Sequence, residues 1–509
     1  MCATCTAVGQ TEPANPDSAL QSIVKALEGT PLSLEQAAQH GLDKATSVRK
    51  AEAAYLAAAG AVRRESGVFD PQLFFNINYL DQKLPTASFF AGAPILATQQ
   101  TASQGGLRID LPTGTQLELS MNTVRLSTNS QFAFLSPEYD AFGTLSLRQP
   151  LLGGFTASAR KQLTRSEREF DAAKARYDQQ ELAVRTEVER MYWDLYAAER
   201  DYAVQRLTHD RAEAFLKETE FRAKAGLVGP NQVANARTFL AEQELQLLER
   251  EEQLDSQSDQ LSSLMGVRPE SGSTRFLTVE DPPSDFPLEQ VEVLVERATK
   301  NNLDLQAGQQ DVQAARALSD AAGWEALPSV NLVGSLGGSG LAGTNQAVVF
   351  NSDTLRISRA GSFSDALSQV SKHSFPNWSV GLEVSIPLGF RSGLGEKDRL
   401  EAQVLSAEQQ QIELGRALED QVRATWRELS HGKDRLKAAR EGVEAAQEQV
   451  RIGLIEFHNG RTTAFELVRL GEDFAVAQRR YSEAMVRTAK AAATLRQLTS
   501  GGYPTTEVH

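Results

Sequence analysis

One order of elements occurs twice in this chain, and that duplication limits the fold more than any single motif. Each half reads as a helix, amphipathic strands, a very long helix, a glycine break and a shorter helix. In the first half, helical periodicity begins near Leu32. Ser33 and Gln36 have the spacing of a capping box, and the alanine-rich helix runs to about Ser66. The period then changes from helical to alternating. From Pro71 to Leu80, apolar Leu73, Phe75, Ile77 and Tyr79 alternate with Gln72, Asn76 and Asn78. This predicts a strand with one wet and one apolar face. Residues 106–122 alternate likewise about a turn at Pro112-Thr113-Gly114-Thr115, and so does Phe142 to Leu151.

A helix of about seventy residues follows, from Thr156 to Ala225. Leu163, Phe170, Tyr177, Val184, Met191 and Ala198 recur every seven residues, and Val188, Leu195 and Tyr202 form a second series offset by four. Such heptads mean coiled-coil packing, over a length of about 100 Å at the helical rise. Gly226-Leu227-Val228-Gly229-Pro230 ends it. A shorter helix reaches about Met265, and the Pro-containing segment from Arg268 to Pro287 reads as a linker.

The order then repeats. A helix from Leu288 to about Ala326 precedes the strand Pro328 to Leu336, and a Gly/Ser-rich region reads as loop up to Pro376. The strand Trp378 to Leu388 carries Val380, Leu382, Val384 and Ile386 on one face. A second long helix, from about Glu396 to His458, has the seam Val422, Leu429, Leu436, Val443 and Val450. Asn459-Gly460 breaks it, and a last helix runs to about Thr499. Trp193 corresponds to Trp426 and Gly226 to Gly460, so register holds through the long helices. Pro71 and Pro328 lie farther apart, because the strand region of the first half carries extra residues.

The expected organisation is an N-terminal extension over 1–31, poorly ordered, a first repeat over 32–266, a linker over 267–287, a second repeat over 288–499 and a tail over 500–509. The net charge of −14 over 509 residues comes with no basic stripe, which argues against nucleic acid as a partner. No apolar run approaches the eighteen residues of a membrane-spanning helix, so a membrane role rests on strands. Four clear strands, plus the hairpin at 106–122, are too few to close a wide barrel. Closure needs several copies, and cyclic symmetry is the simplest solution.

The only cysteines are Cys2 and Cys5. No leader with a basic segment, an apolar run and a cleavage site is legible. Either a leader has been removed or the protein is cytoplasmic. In an exported chain Cys2 or Cys5 is a candidate lipid anchor. No nucleophile–base pair suggests catalysis, no cofactor is implied, and the six histidines lack the spacing of a helical metal site. Gly338 to Gly343 fits a dinucleotide fingerprint, but no helix opens after it, so it reads as a loop. Trp193 and Trp426 read as packing residues. Trp378 suits either a membrane interface or strand packing.

The chain resembles the TolC-type outer-membrane efflux protein family. The resemblance covers about residues 32–500. It is carried by the junctions Gln149-Pro150-Leu151-Leu152-Gly153-Gly154 and Ile386-Pro387-Leu388-Gly389-Phe390, and by the breaks Ala225-Gly226-Leu227-Val228 and Asn459-Gly460-Arg461-Thr462-Thr463. It implies a mainly α fold with β, in which the duplicated unit of long coiled-coil helices plus membrane β-strands builds a trimeric α/β-barrel channel-tunnel. That means a homotrimer with a twelve-strand barrel in the outer membrane and helices in the periplasm. It also implies a passive duct for tripartite efflux or type I secretion, docked to a periplasmic adaptor and an inner-membrane pump. By position, Gly226, Leu227, Val228, Gly460, Arg461 and Thr462 are the docking candidates. Some members constrict the tunnel with aspartates six and nine residues after the tip glycine. Here those places hold Gln232 and Asn235, then Glu466 and Arg469, a departure that leaves the gate open to either a Glu466 ring or solvated helix charges. The rival reading is a structural coiled-coil scaffold or fibre. It does not explain strands inserted at matching places in both halves.

Overall fold

The computed structural model describes residues 16–270, 274–283, 286–350, 353–355, 359–459 and 461–501. The chain opens with α1 (Pro16–Lys25), β1 (Thr30–Leu32), α2 (Leu34–Lys44) and α3 (Thr46–Ser66). Strands β2 (Gln72–Pro85), β3 (Ile95–Asp110), β4 (Gln116–Thr128) and β5 (Leu135–Leu152) follow, then α4 (Thr156–Lys224), α5 (Pro230–Met265) and β6 (Phe276–Thr278). The second half holds α6 (Val291–Asn301), α7 (Leu303–Glu325), β7 (Ser329–Asn345), β8 (Val348–Phe350), β9 (Asp353–Leu355), α8 (Phe363–Ser371), β10 (Phe375–Ser385), α9 (Arg391–His458) and α10 (Ala464–Leu498).

The repeat is evident in the lengths. The long helices α4 and α9 have 69 and 68 residues, and α5 and α10 have 36 and 35. The opening helix of each half, expected to be continuous, is broken once at the same place. Ala45 separates α2 from α3, and Asn302 separates α6 from α7. Asn302 makes its break with its side chain: Oδ1 accepts from the Leu305 N–H at 3.1 Å, capping α7. The cap at Ser33 is a full capping box with Gln36.

The chain forms two compact units. The first comprises Met1–Tyr55, Ala173–Ala307 and Gln411–His509. Its core collects the heptad positions: Val184, Val188 and Leu195 from α4 and Val422 and Leu429 from α9 are buried together. Trp193 is fully buried between Tyr192 and Tyr196, both edge-on to it. Trp426 is half-buried and donates its indole N–H to the Glu289 carbonyl at 2.9 Å.

Two stretches read as irregular are ordered in this unit. Part of the supposed N-terminal extension forms α1, whose Leu20 packs with Ala203, Val204 and Ala475. The supposed linker contributes β6, which pairs in parallel with β1. Tyr192 clamps this pair. Its hydroxyl donates to the Leu32 carbonyl at 3.0 Å, accepts from the Val279 N–H at 3.0 Å, and meets the Glu280 carboxylate. Glu199, itself buried, accepts from the Thr278 N–H at 2.7 Å and the Thr278 hydroxyl at 2.8 Å. Short segments without their own apolar period are held here by side chains on α4, so no periodicity marks them in the sequence.

The second unit comprises Leu56–Ala172 and Gly308–Gln410. Its centre is one six-stranded sheet in the order β10-β7-β5-β4-β3-β2, antiparallel throughout. The strands run 11 to 18 residues, beyond the ten or so expected. The hairpin at 106–122 is the lower end of β3 and β4, paired on one side to β2 and on the other to β5. One sheet of the chain therefore holds six strands where four clear ones were expected.

The Gly338–Gly343 segment is strand β7, not loop. Its glycines seat α8: a Cβ on Gly340 would come within 2.0 Å of the Ala366 carbonyl oxygen. Gln369 of α8 completes the seat by bonding both the N–H and the carbonyl of Leu341. The absence of side chains that hides this strand from a hydropathy reading is what lets the helix approach.

Candidate membrane wall and docking tip

Successive side chains of a strand point to opposite faces, and the registers bring those faces into line across all six strands. Leu73, Leu107, Leu119, Leu145, Leu336 and Trp378 are consecutive cross-strand partners. All six are exposed, Leu73 at 86% and Trp378 at 76%. Phe75, Ile77, Val380 and Leu382 extend the same exposed face. The opposite face is polar. Asn76, Gln104 and Asn122 lie there, and two ion pairs cross strands: Arg108–Glu118 at 2.6 Å and Arg148–Glu383 at 3.2 Å. An exposed apolar face of this extent, backed by a polar one, matches the lipid and lumen sides of a membrane β-barrel. Among the described residues no helix is long and apolar enough to cross a membrane.

The glycine breaks form the second candidate region, within the first unit. Gly226 adopts φ +74°, a left-handed geometry that suits glycine. The Leu227 N–H donates to the Arg222 carbonyl at 2.9 Å and the Gly226 N–H to the Ala223 carbonyl at 3.0 Å, a Schellman ending of α4. Pro230 then opens α5 behind the N-cap Gly229. At the other break, the Arg461 N–H donates to the Glu456 carbonyl at 2.9 Å. Gly460 lies outside the described residues, as do Cys2 and Cys5. Thr463 caps α10 by accepting from the Glu466 N–H at 3.3 Å.

The two breaks lie side by side. A cavity of about 490 Å³ is lined by Val228, Gln232 and Asn235 from the first and by Thr463 and Phe465 from the second, with Arg222 between them. Arg222 also lies 5.3 Å from the Phe457 ring centre and 2.6 Å from the Glu218 carboxylate. Leu227 is 74% exposed and Phe465 65%. Gln232, Asn235, Arg461 and Arg469 are exposed, while Thr462 and Glu466 are partly covered. No ion pair joins Glu466 to Arg469 among the described residues. In the first turn of α10 the Glu466 carboxylate instead suits the positive end of the helix dipole. The aromatic lining from Phe215, Phe239 and Phe465 had no sequence signal of its own. These residues lie far apart in the chain, and only the adjacency of the two tips assembles them.

Duplicated long helices and a sheet with one apolar and one polar face define a channel-forming protein of the outer membrane. The sequence pattern of the outer membrane efflux protein family matches residues 115–267 and 294–501, and the chain belongs to that family. It is accordingly an outer-membrane efflux duct, in a family of channel proteins, not enzymes. The fold is similar to that of the outer-membrane channel OprN, with 17% identity, a TM-score of 0.64, and 92% of this chain and 90% of that one covered. It is also similar to VceC of Vibrio cholerae, at 16% identity and a TM-score of 0.63 over 92% and 97% of the two chains. The CmeC channel of Campylobacter jejuni matches at 15% identity and a TM-score of 0.61 over 93% and 87%. No curated protein matches the sequence.

Proposed function

We propose that three copies of this chain form a passive duct, and that the paired helix breaks receive a periplasmic adaptor which joins it to an inner-membrane pump. The observation that carries the docking reading is the cluster of exposed apolar side chains at the paired breaks. Phe465 lines the tip cavity, and exposed Phe221 and Leu227 adjoin its lining residues Arg222 and Val228 in the chain. Exposed apolar groups rimmed by polar ones mark protein contacts. Gly226, Val228, Arg461 and Thr462 shape or flank the same surface, and Gly460 is a docking candidate by its place in the sequence. In a trimer, three Glu466 side chains supply an acidic ring one turn into α10, with Gln232, Asn235 and Arg469 as its polar surroundings. The duct carries small molecules, metal ions or polypeptide, and the pump supplies the energy. Acylation of Cys2 or Cys5 gives an exported chain a second hold on the outer-membrane lipid.

The test pairs conductance with cross-linking. Purified protein in planar bilayers opens pores. A photo-crosslinker placed at Leu227 captures an adaptor in cells, and Phe465→Glu abolishes the capture while conductance persists. A protein that stays soluble and forms no pores defeats the duct. Capture that is unchanged by charges at both Leu227 and Phe465 defeats the docking surface. Mass spectrometry of the N-terminal peptide decides acylation.

A further inference from the structure

The sheet has two open edges, the outer sides of β2 and β10, which pair neither with one another nor with a further described strand. Both edge strands are exposed on both faces along nearly their whole length. In a bilayer no water satisfies unpaired backbone N–H and C=O groups, so no open edge is tolerated. Another copy of the chain is the partner whose chemistry fits. Six antiparallel strands is an even number, so β2 and β10 run in opposite directions. Copies related by rotation therefore bring β2 of one against β10 of the next as an antiparallel pair, with the apolar faces all outward.

We propose that the assembled barrel has eighteen strands, six from each of three copies, with the β3–β4 hairpin built into its wall. The count rests on the trimer proposed above. Near its turn the hairpin carries the lipid-and-lumen alternation, while farther along the same face holds Ser103 and Thr123. Leu107, Leu119 and Met121 lie on the apolar face, and Gln104, Arg108, Glu118 and Asn122 on the polar one. Pairing of β3 with β2 and β4, and of β4 with β5, runs without a register shift. The leucine row therefore crosses the inserted strands unbroken. An extramembrane loop would have no reason to keep either feature. The turn joining β3 to β4 is short, Leu111 N–H to Thr115 carbonyl at 2.8 Å, as at the periplasmic rim of outer-membrane barrels. At ordinary strand spacing and tilt, eighteen strands give a backbone diameter on the order of 35 Å, against about 25 Å for twelve. The membrane part of this duct is then wide enough for an open aqueous lumen.

The experiment images the full-length protein in lipid nanodiscs by electron microscopy. In parallel, Leu119→Cys and Asn122→Cys are labelled with a membrane-impermeant maleimide. A trimer with eighteen strands, labelling at Asn122→Cys and loss of labelling at Leu119→Cys are expected. Cysteine pairs placed along β2 and β10, stepping Asn76 and Asn78 against Ser379 and Gly381, give disulfide-linked oligomers. A trimer with twelve strands, or equal labelling of both hairpin positions, overturns the strand count and leaves the trimer standing. An assembly of another size overturns the trimer itself.

Discussion

Leu107 on β3 and Leu119 on β4 face each other directly, in the middle of a row of cross-strand partners that runs from Leu73 to Trp378. The adjacent residue Ser120 points the other way and is buried. Neighbours in sequence thus have different surroundings. Leu119→Arg places a charge on the lipid face and is expected to destabilise by up to about 2–4 kcal/mol, the cost falling toward the interface. Asn122→Arg on the polar face is tolerated. Unfolding by denaturant after insertion into vesicles measures the difference. Equal costs at both positions contradict the assignment of faces.

The buried Glu199 makes stability depend on pH. Burial raises its carboxyl to about 7, while the Thr278 N–H and hydroxyl bonds and nearby Arg200 oppose the rise. The folded value lies above the unfolded one, so the folded state holds the proton more tightly. The contribution is fully present below about pH 4.5 and is lost as pH rises through 7. A shift of that size corresponds to about 3 kcal/mol. Glu199→Gln keeps an acceptor for Thr278 and removes the slope. Chemical denaturation at about pH 5 and pH 8 is the measurement, with the variant gaining on the parent only at the higher pH.

Gly432 of α9 sits against Thr488 of α10, which is fully buried. A Cβ at Gly432 would come within 2.8 Å of the Thr488 hydroxyl and 2.9 Å of its methyl group. Gly432→Ala gains about 1 kcal/mol in helix propensity but loses roughly 1–3 kcal/mol to overpacking, so the net change is destabilising. Thr488→Ala in the same chain makes room and recovers most of the loss. A double-mutant cycle on thermal unfolding reads the coupling, and strict additivity refutes the contact.

Gly226 adopts a left-handed backbone, and a Cβ added there would meet no atom within 4 Å, so substitution strains the backbone alone. Gly226→Ala costs roughly 1–2 kcal/mol, confined to the tip. Hydrogen exchange rises in the peptide containing Phe221 to Val228 and stays unchanged around Trp193. Gly226→Asn, which tolerates this conformation better, shows a smaller rise.

The sequence determined the repeated elements and their faces. Val184, Val188 and Val422 fall in the core because a seven-residue period keeps one side of a helix turned toward its neighbours. Leu73, Phe75, Val380 and Leu382 fall on one sheet face because strand side chains alternate. Both periods are local properties, visible in one dimension. Tertiary structure decided what those faces meet. It extended β3 and β4 beyond the legible hairpin and placed them inside the sheet, since strand pairing, not hydropathy, fixes a strand's length. It turned Gly338 to Gly343 into the seat for α8, a contact that exists only because side chains are missing there. It ordered α1, β1 and β6 through side chains of α4 and brought Phe215, Phe239 and Phe465 to one cavity. The duplicated order of helices and strands thus fixed the class of fold. The six strands of the sheet, held by partners distant in the chain, were decided by tertiary pairing.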